Sequence, residues 1–132
     1  MILVDTSVWI DFLKNKQAEH VSKLDFILRE KISFGINEFI YQELLQGTKT
    51  TDEFRLLKNY LDTQTFYSVS TDKKSYAEAA KRYFLCRNAG YTIRSTVDVL
   101  IVQTCVEHHL QLLHSDKDFE KIACIEKRLK FY

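Results

Sequence analysis

MILVDTSVWIDFL (residues 1–13) decides how the rest of the chain is read. Ile2, Leu3 and Val4 make a short apolar run, expected as a buried strand over residues 2–5. The run ends on a carboxylate, Asp5, followed by the hydroxyls of Thr6 and Ser7. A helix is expected from Thr6 to Leu13, with Trp9, Phe12 and Leu13 on one face. An acid between a strand and a helix can cap the helix, or it can open a site at the carboxyl end of the strand.

Working outward, strands and helices alternate. Helices are expected at 18–30, 38–46, 52–61, 73–89, 96–108 and 117–126. Strands are expected at 32–36, 65–69 and 110–114, with LKFY (129–132) as an edge strand. Asn37 is placed to cap the helix at 38, while Gly47 and Gly90 are placed to stop helices. The chain has no proline and only three glycines, so helices should be long and bounded by caps. This alternation predicts a three-layer α/β/α sandwich with a mostly parallel central sheet. Ligands of such sheets sit beyond the carboxyl ends of the strands, where both Asp5 and Asp116 fall.

Composition narrows the class. At 132 residues, one domain spanning 1–132 is expected. With 45% hydrophobic and 28% charged residues, the chain reads as a soluble globular protein, not a disordered or membrane one. No apolar run approaches the roughly 20 residues that span a bilayer, and no basic segment leads into a signal-like stretch. Cys86, Cys105 and Cys124 are odd in number and widely spaced, which suits reduced thiols and a cytoplasmic location. A net charge of +1 does not announce a nucleic-acid partner. Most of the basic groups, including Lys81, Arg82 and Arg87, fit the solvated faces of helices.

Four acids stand out by position. Asp98 can close a capping box with Ser95. At about 100° per residue, however, it falls among Ile101, Val102 and Cys105, in the middle of an apolar face. Thr96, Gln103 and Glu107 gather on the opposite, polar side. An unpaired carboxylate on an apolar face is costly and needs a partner or a cation. Glu43 falls at the edge of a buried face, between Phe39 and Ile40, whereas Glu38 shares a polar stripe with Gln42 and Gln46. Asp116 and Asp118 flank the start of the helix at 117, and one of them is expected to cap it. Asp11 and Asp25 fall on exposed faces or margins. Asp5, Glu43, Asp98 and Asp116 would repel one another if packed together, and a hard divalent ion would resolve that. Oxygen ligands without a paired His or Cys favour Mg²⁺ or Mn²⁺ over zinc. His108, His109 and His114 read as surface or helix-end residues.

DTSVWIDFL (5–13), QELLQG (42–47) and TIRSTVDVLIVQTCVEHHLQLLHSDKDFEKI (92–122) together resemble the PIN-domain ribonucleases, and within them the VapC toxins of bacterial toxin–antitoxin pairs. The resemblance runs the length of the chain and rests on the ordered set, since each motif alone is weak. It implies a metal-dependent endoribonuclease whose catalytic and metal-binding quartet is Asp5, Glu43, Asp98 and Asp116. Asp118 matches a further acid near the metal, and Thr6 matches a hydroxyl supporting the first carboxylate or its water. The position two before Asp116, often threonine in the family, is His114 here. Arg94, Lys117 or the 73–87 stretch could contact RNA phosphates. The resemblance also implies a homodimer, tRNA or rRNA as substrate, and a VapB-type antitoxin laid across a groove that Trp9 and Phe12 could border.

Two other acidic Mg²⁺ folds fit less well. A receiver domain wants paired acids after its first strand and an aspartate ending its third, and TFYSV (65–69) has none. A haloacid-dehalogenase-type phosphatase wants Asp-x-Asp where Asp5-Thr6-Ser7 stands. The stronger rival is a PIN-like dimeric module that binds RNA or protein without turnover.

Overall fold

In the computed structural model, which describes residues 1–132, the N-terminal apolar run forms β1 (Ile2–Val4). It lies at the centre of a sheet completed by β2 (Phe34–Ile36), β3 (Thr65–Phe66), β4 (Gln111–Leu113) and β5 (Lys130–Phe131). The order is β3-β2-β1-β4-β5 and every neighbouring pair is parallel. Leu3 pairs with Gly35 on one side and Leu112 on the other. All three residues of β1 are buried, as a central strand covered on both faces requires.

Seven helices connect the strands: α1 (Thr6–Leu13), α2 (Glu19–Arg29), α3 (Glu38–Gln46), α4 (Thr51–Leu61), α5 (Lys73–Asn88), α6 (Thr96–His108) and α7 (Lys117–Ile125). They pack in two groups, α1 to α4 and α5 to α7. Right-handed crossovers explain the division, because β1, β2 and β3 run outward one way and β4, β5 the other. The order therefore reverses between β1 and β4, the position where a doubly wound sheet opens a crevice. No helix is long and apolar enough to cross a membrane.

Most element boundaries follow from local chemistry. Asn37 caps α3 by accepting from Ile40 N at 3.0 Å. Gly90 follows α5 at φ +87°, a conformation that favours glycine. Gly47 ends α3 in ordinary right-handed geometry, so its conformational freedom is not used there. The 65–69 strand shortens to two residues. Tyr67 N still reaches Ile36 O, but beyond it Val69 turns into the core and Ser70 N bonds Glu107 at 2.9 Å.

Gly35 lies between β1 and β3 where no side chain fits. A Cβ there would meet the Tyr67 ring at 2.5 Å and Thr65 O at 2.7 Å. Gly35→Ala should cost about 1–3 kcal/mol, the usual range for overpacking. Urea unfolding would show it as a lowered midpoint, and an unchanged midpoint would mean that β3 yields freely.

The helical-wheel expectation for α6 needs correction. Gln103, on its polar side, is as buried as Ile101 and Val102. The reason is that α5 and α7 also pack on α6, so little of its middle reaches water. Gln103 is satisfied there by Glu78 and Glu107, each at 2.9 Å, and by Arg82. Arg82 is only 4% exposed, so it does not belong to a solvated face. Asp11 is likewise more enclosed than expected, bonded to His20 at 2.6 Å.

Candidate active site

The carboxyl ends of β1 and β4 are tied together. Asp5 N donates to Leu113 O at 2.9 Å, and Ser115 N donates to Ser7 Oγ at 3.0 Å. Asp5 caps α1 by accepting from Ser7 N at 3.0 Å, and the same oxygen accepts from Ser7 Oγ at 2.6 Å. Burial outweighs these bonds and, with Glu43 nearby, pushes Asp5 up to about 6.

The hydroxyl expectations divide differently from the resemblance. The Thr6 hydroxyl turns from the first carboxylate and donates to Glu43 Oε1 at 2.9 Å, fixing the side chain that α3 contributes. Ser7 is the residue that holds Asp5, and it was not singled out from the sequence. Both follow from the start of α1, which turns consecutive hydroxyls toward different acids.

Asp98 projects from the first turn of α6. Ser95 caps that helix by accepting from Val97 N at 3.1 Å. The reciprocal bond of a capping box is not made, and the Asp98 carboxylate has no hydrogen-bond partner. Burial, then the charges of Asp116, Asp5, Asp118 and Glu43, push it up to about 7. One carboxylate thus senses all the others.

Asp116 caps α7, accepting from Asp118 N at 3.0 Å. Oxygens of Asp98, Asp116 and Asp118 lie within 4.8 Å of one another, close enough to share one ion. Asp118 is 1% exposed. Burial alone would raise it, but Arg94 and Lys121 hold it below the ordinary carboxylate range. Arg94 is one of three alternatives the sequence offers for RNA phosphates; in the structure its Nη2 lies 2.9 Å from Asp116 and its Nε 3.1 Å from Asp118. Lys117 is exposed. Beside the acids opens a cavity of about 540 Å³ lined only by Ser7, Arg94, Ser115, Asp116, Lys117, Asp118 and Lys121. An acidic floor with a cationic rim suits a ligand that carries phosphates and arrives with a metal.

The histidines stay outside this set. His114 Nδ1 accepts from Asp116 N at 3.1 Å, and the ring packs against Phe119 and Phe131. It therefore braces the turn that carries Asp116. Trp9 is in the core against Phe34 and Tyr60, leaving Phe12 to line a groove between α1 and α2.

A doubly wound parallel sheet with acids gathered at its reversal point defines an α/β protein of the acidic-site kind. The chain belongs to the PIN domain family, whose model matches residues 2–124. It is similar to the VapC ribonuclease Mb1587 of Mycobacterium bovis and to ribonuclease VapC11 of Mycobacterium tuberculosis. Each is 29% identical over 126 residues, covering 95% of this chain and 93% of the relative. Among solved structures, VapBC2 from Rickettsia felis bound to a promoter DNA fragment superimposes with TM-score 0.73 at 16% identity, covering 100% of this chain and 98% of the other. FitAcB from Neisseria gonorrhoeae gives 0.70 at 20% identity, covering 100% and 97%.

Proposed function

We propose that this chain is a Mg²⁺- or Mn²⁺-dependent endoribonuclease and the toxin of a toxin–antitoxin pair. The observation that carries the reading is Asp98: a half-buried carboxylate with no hydrogen-bond partner, facing four other acids. That arrangement favours a cation, and an all-oxygen donor set fits a hard divalent one. The ribonuclease names of the relatives support RNA as the substrate, with tRNA or rRNA as the expected class. The likeness to VapBC2 supports a VapB-type partner, and the family resemblance implies a homodimer and a cytoplasmic location.

Asp98 and Asp116 would hold the ion, with Asp5 and Glu43 on the opposite side of the crevice. Bound there, a divalent ion supplies positive charge against the scissile phosphate and acidifies the attacking water. The chain's own residues do the positioning. Ser7 keeps Asp5 fixed, Thr6 keeps Glu43 fixed, and the capping bond at the start of α7 holds Asp116. Asp5 and Glu43 would complete the oxygen ligands around the ion and its water. Lys117, exposed at the cavity rim, supplies a phosphate contact. Asp118 already binds Arg94 and Lys121, so it contributes charge from behind and holds the rim in place.

The test is cleavage of bacterial total RNA with Mg²⁺ or Mn²⁺ by the wild type and Asp5→Asn purified identically. Asparagine still caps α1, so folding should be kept. Cleavage should fall by more than the roughly 10–100-fold seen when a metal site loses an outer partner. Equal cleavage by both would remove Asp5 from the site. RNA binding without cleavage by the metal-loaded wild type would mark a binding module instead.

A further inference from the structure

Arg94 reaches across the acidic cluster from the loop before α6, and its two ends are held very differently. Its backbone N and Nε both donate to Asp118 Oδ2, at 3.0 and 3.1 Å. The other oxygen of Asp118 takes Lys121 Nζ at 3.2 Å, and the same ammonium reaches Thr92 O at 3.3 Å. The Asp118 side chain is 2% exposed, so this end is a desolvated, fully partnered anchor. The far end differs. Nη2 rests at 2.9 Å on Asp116, a side chain 26% exposed at the open cavity, and most of the arginine side chain is in solvent. Ion pairs of that kind are weak and easily exchanged.

We propose that Arg94 is a resident counter-cation of the acidic site, which gives up Asp116 when a divalent ion binds and then presents its freed Nη groups to a backbone phosphate of the substrate. The first step follows from charge. Asp116 Oδ1 accepts from both Arg94 and the Asp118 N–H, so an ion on the carboxylate would stand beside the guanidinium and repel it. The Nε anchor on Asp118 does not involve the ion and keeps the arginine at the rim. The second step rests on the ribonuclease reading: a planar guanidinium held at Nε keeps two Nη groups in the geometry that phosphate accepts. Arg94 is thus a positioning residue with two resting places, and it keeps five mutually repelling acids tolerable until metal and substrate arrive.

Mn²⁺ binding to the metal-free protein, without RNA, tests the first step; free Mn²⁺ is followed by electron paramagnetic resonance. Asp98→Asn locates the signal at this site by losing it. Arg94→Gln keeps the backbone bond to Asp118, so the loop stays pinned. It should bind Mn²⁺ about five- to tenfold tighter than wild type, the gain from removing one competing charge at partial screening. Arg94→Lys, which reaches one acid instead of two, should fall between and decides the matter if the glutamine variant does not fold. RNA cleavage by Arg94→Gln should nevertheless drop in kcat by about tenfold or more. A residue that only supported the loop would loosen metal binding and cleavage together. Mn²⁺ affinity equal to or weaker than wild type overturns the proposal, and full cleavage by a tighter-binding Arg94→Gln overturns its phosphate step. If the wild type cleaves no RNA while Arg94→Gln still binds Mn²⁺ more tightly, the counter-cation stands and the nuclease reading falls.

Discussion

Asp98→Asn should end metal-dependent RNA cleavage and, with no divalent ion present, leave a protein more stable than wild type at pH 8. The sign follows from the carboxyl's position. In the folded state burial and four neighbouring acids push Asp98 up to about 7, against an ordinary value of 3.8. The folded form therefore holds its proton more tightly than the unfolded form, and stability falls as pH rises from about 4 to about 7. Above that window the whole cost of the charge is present. Asparagine carries no such cost. With partial exposure discounted, the gain at pH 8 should be about 1–3 kcal/mol. For a chain of this size that is a melting temperature several degrees higher.

The gap should narrow as pH falls through about 7 and close near pH 4. Asp5, pushed up to about 6, works in the same direction, while burial holds His114 below its ordinary range and works against it. Both groups are present in both proteins, so the difference between the two melting curves reports Asp98 together with its coupling to the neighbouring acids. Mn²⁺ should then stabilise the wild type and leave Asp98→Asn unmoved, because only a protein that binds the ion in its folded form gains from it. Identical pH profiles would mean that Asp98 is solvated and that the acids do not converge.

Arg82→Ala should be the most destabilising single change outside the apolar core. Arg82 lies on α5 and ties three elements together. Its Nε donates to Glu126 at 2.8 Å just beyond α7, and its Nη1 donates to buried Gln103 on α6. Truncation leaves Gln103 Oε1 buried without its donor and Glu126 held by Arg128 alone, and losses of this type run to about 3 kcal/mol. The melting temperature should fall by roughly 10 °C. Glu126, held by Arg128 and Arg82, is lowered to about 2, so its contribution is lost only as pH falls from 4.5 through that value. The effect of Arg82→Ala should therefore stay flat between pH 5 and 8, unlike that of Asp98→Asn. Urea midpoints for Arg82→Ala, Glu126→Gln and the double variant would measure the coupling. Additive losses would show that the pair is incidental.

The two predictions differ in how far they could be read without the fold. Asp98 was visible because a helix has one period and an acid on its apolar side breaks it. Its neighbours Asp5 and Asp116 were visible because parallel strands end at one edge. Arg82 was not visible. Its burial depends on α6 and α7 both closing over α5, and nothing in the spacing of α5 marks one basic residue among five as the enclosed one. The same holds for Gln103, whose polar side is covered by α5 and by Glu126 beyond α7 through Arg82.

What the amino-acid sequence determined by itself is local and periodic: the alternation of strands and helices, the caps at Asn37 and Ser95, and the acids standing where strands end or apolar faces should be clean. Backbone geometry and the preference of apolar groups for one another act over a few residues, so their pattern is written in a few residues. Tertiary structure alone decided the partnerships: Ser7 with Asp5, Thr6 with Glu43, and Arg94 drawn onto Asp116 and Asp118. Hydrogen bonds and ion pairs reach only about 3 Å. Which groups come within that reach is settled by how the sheet order reverses between β1 and β4, not by how far apart residues stand along the chain.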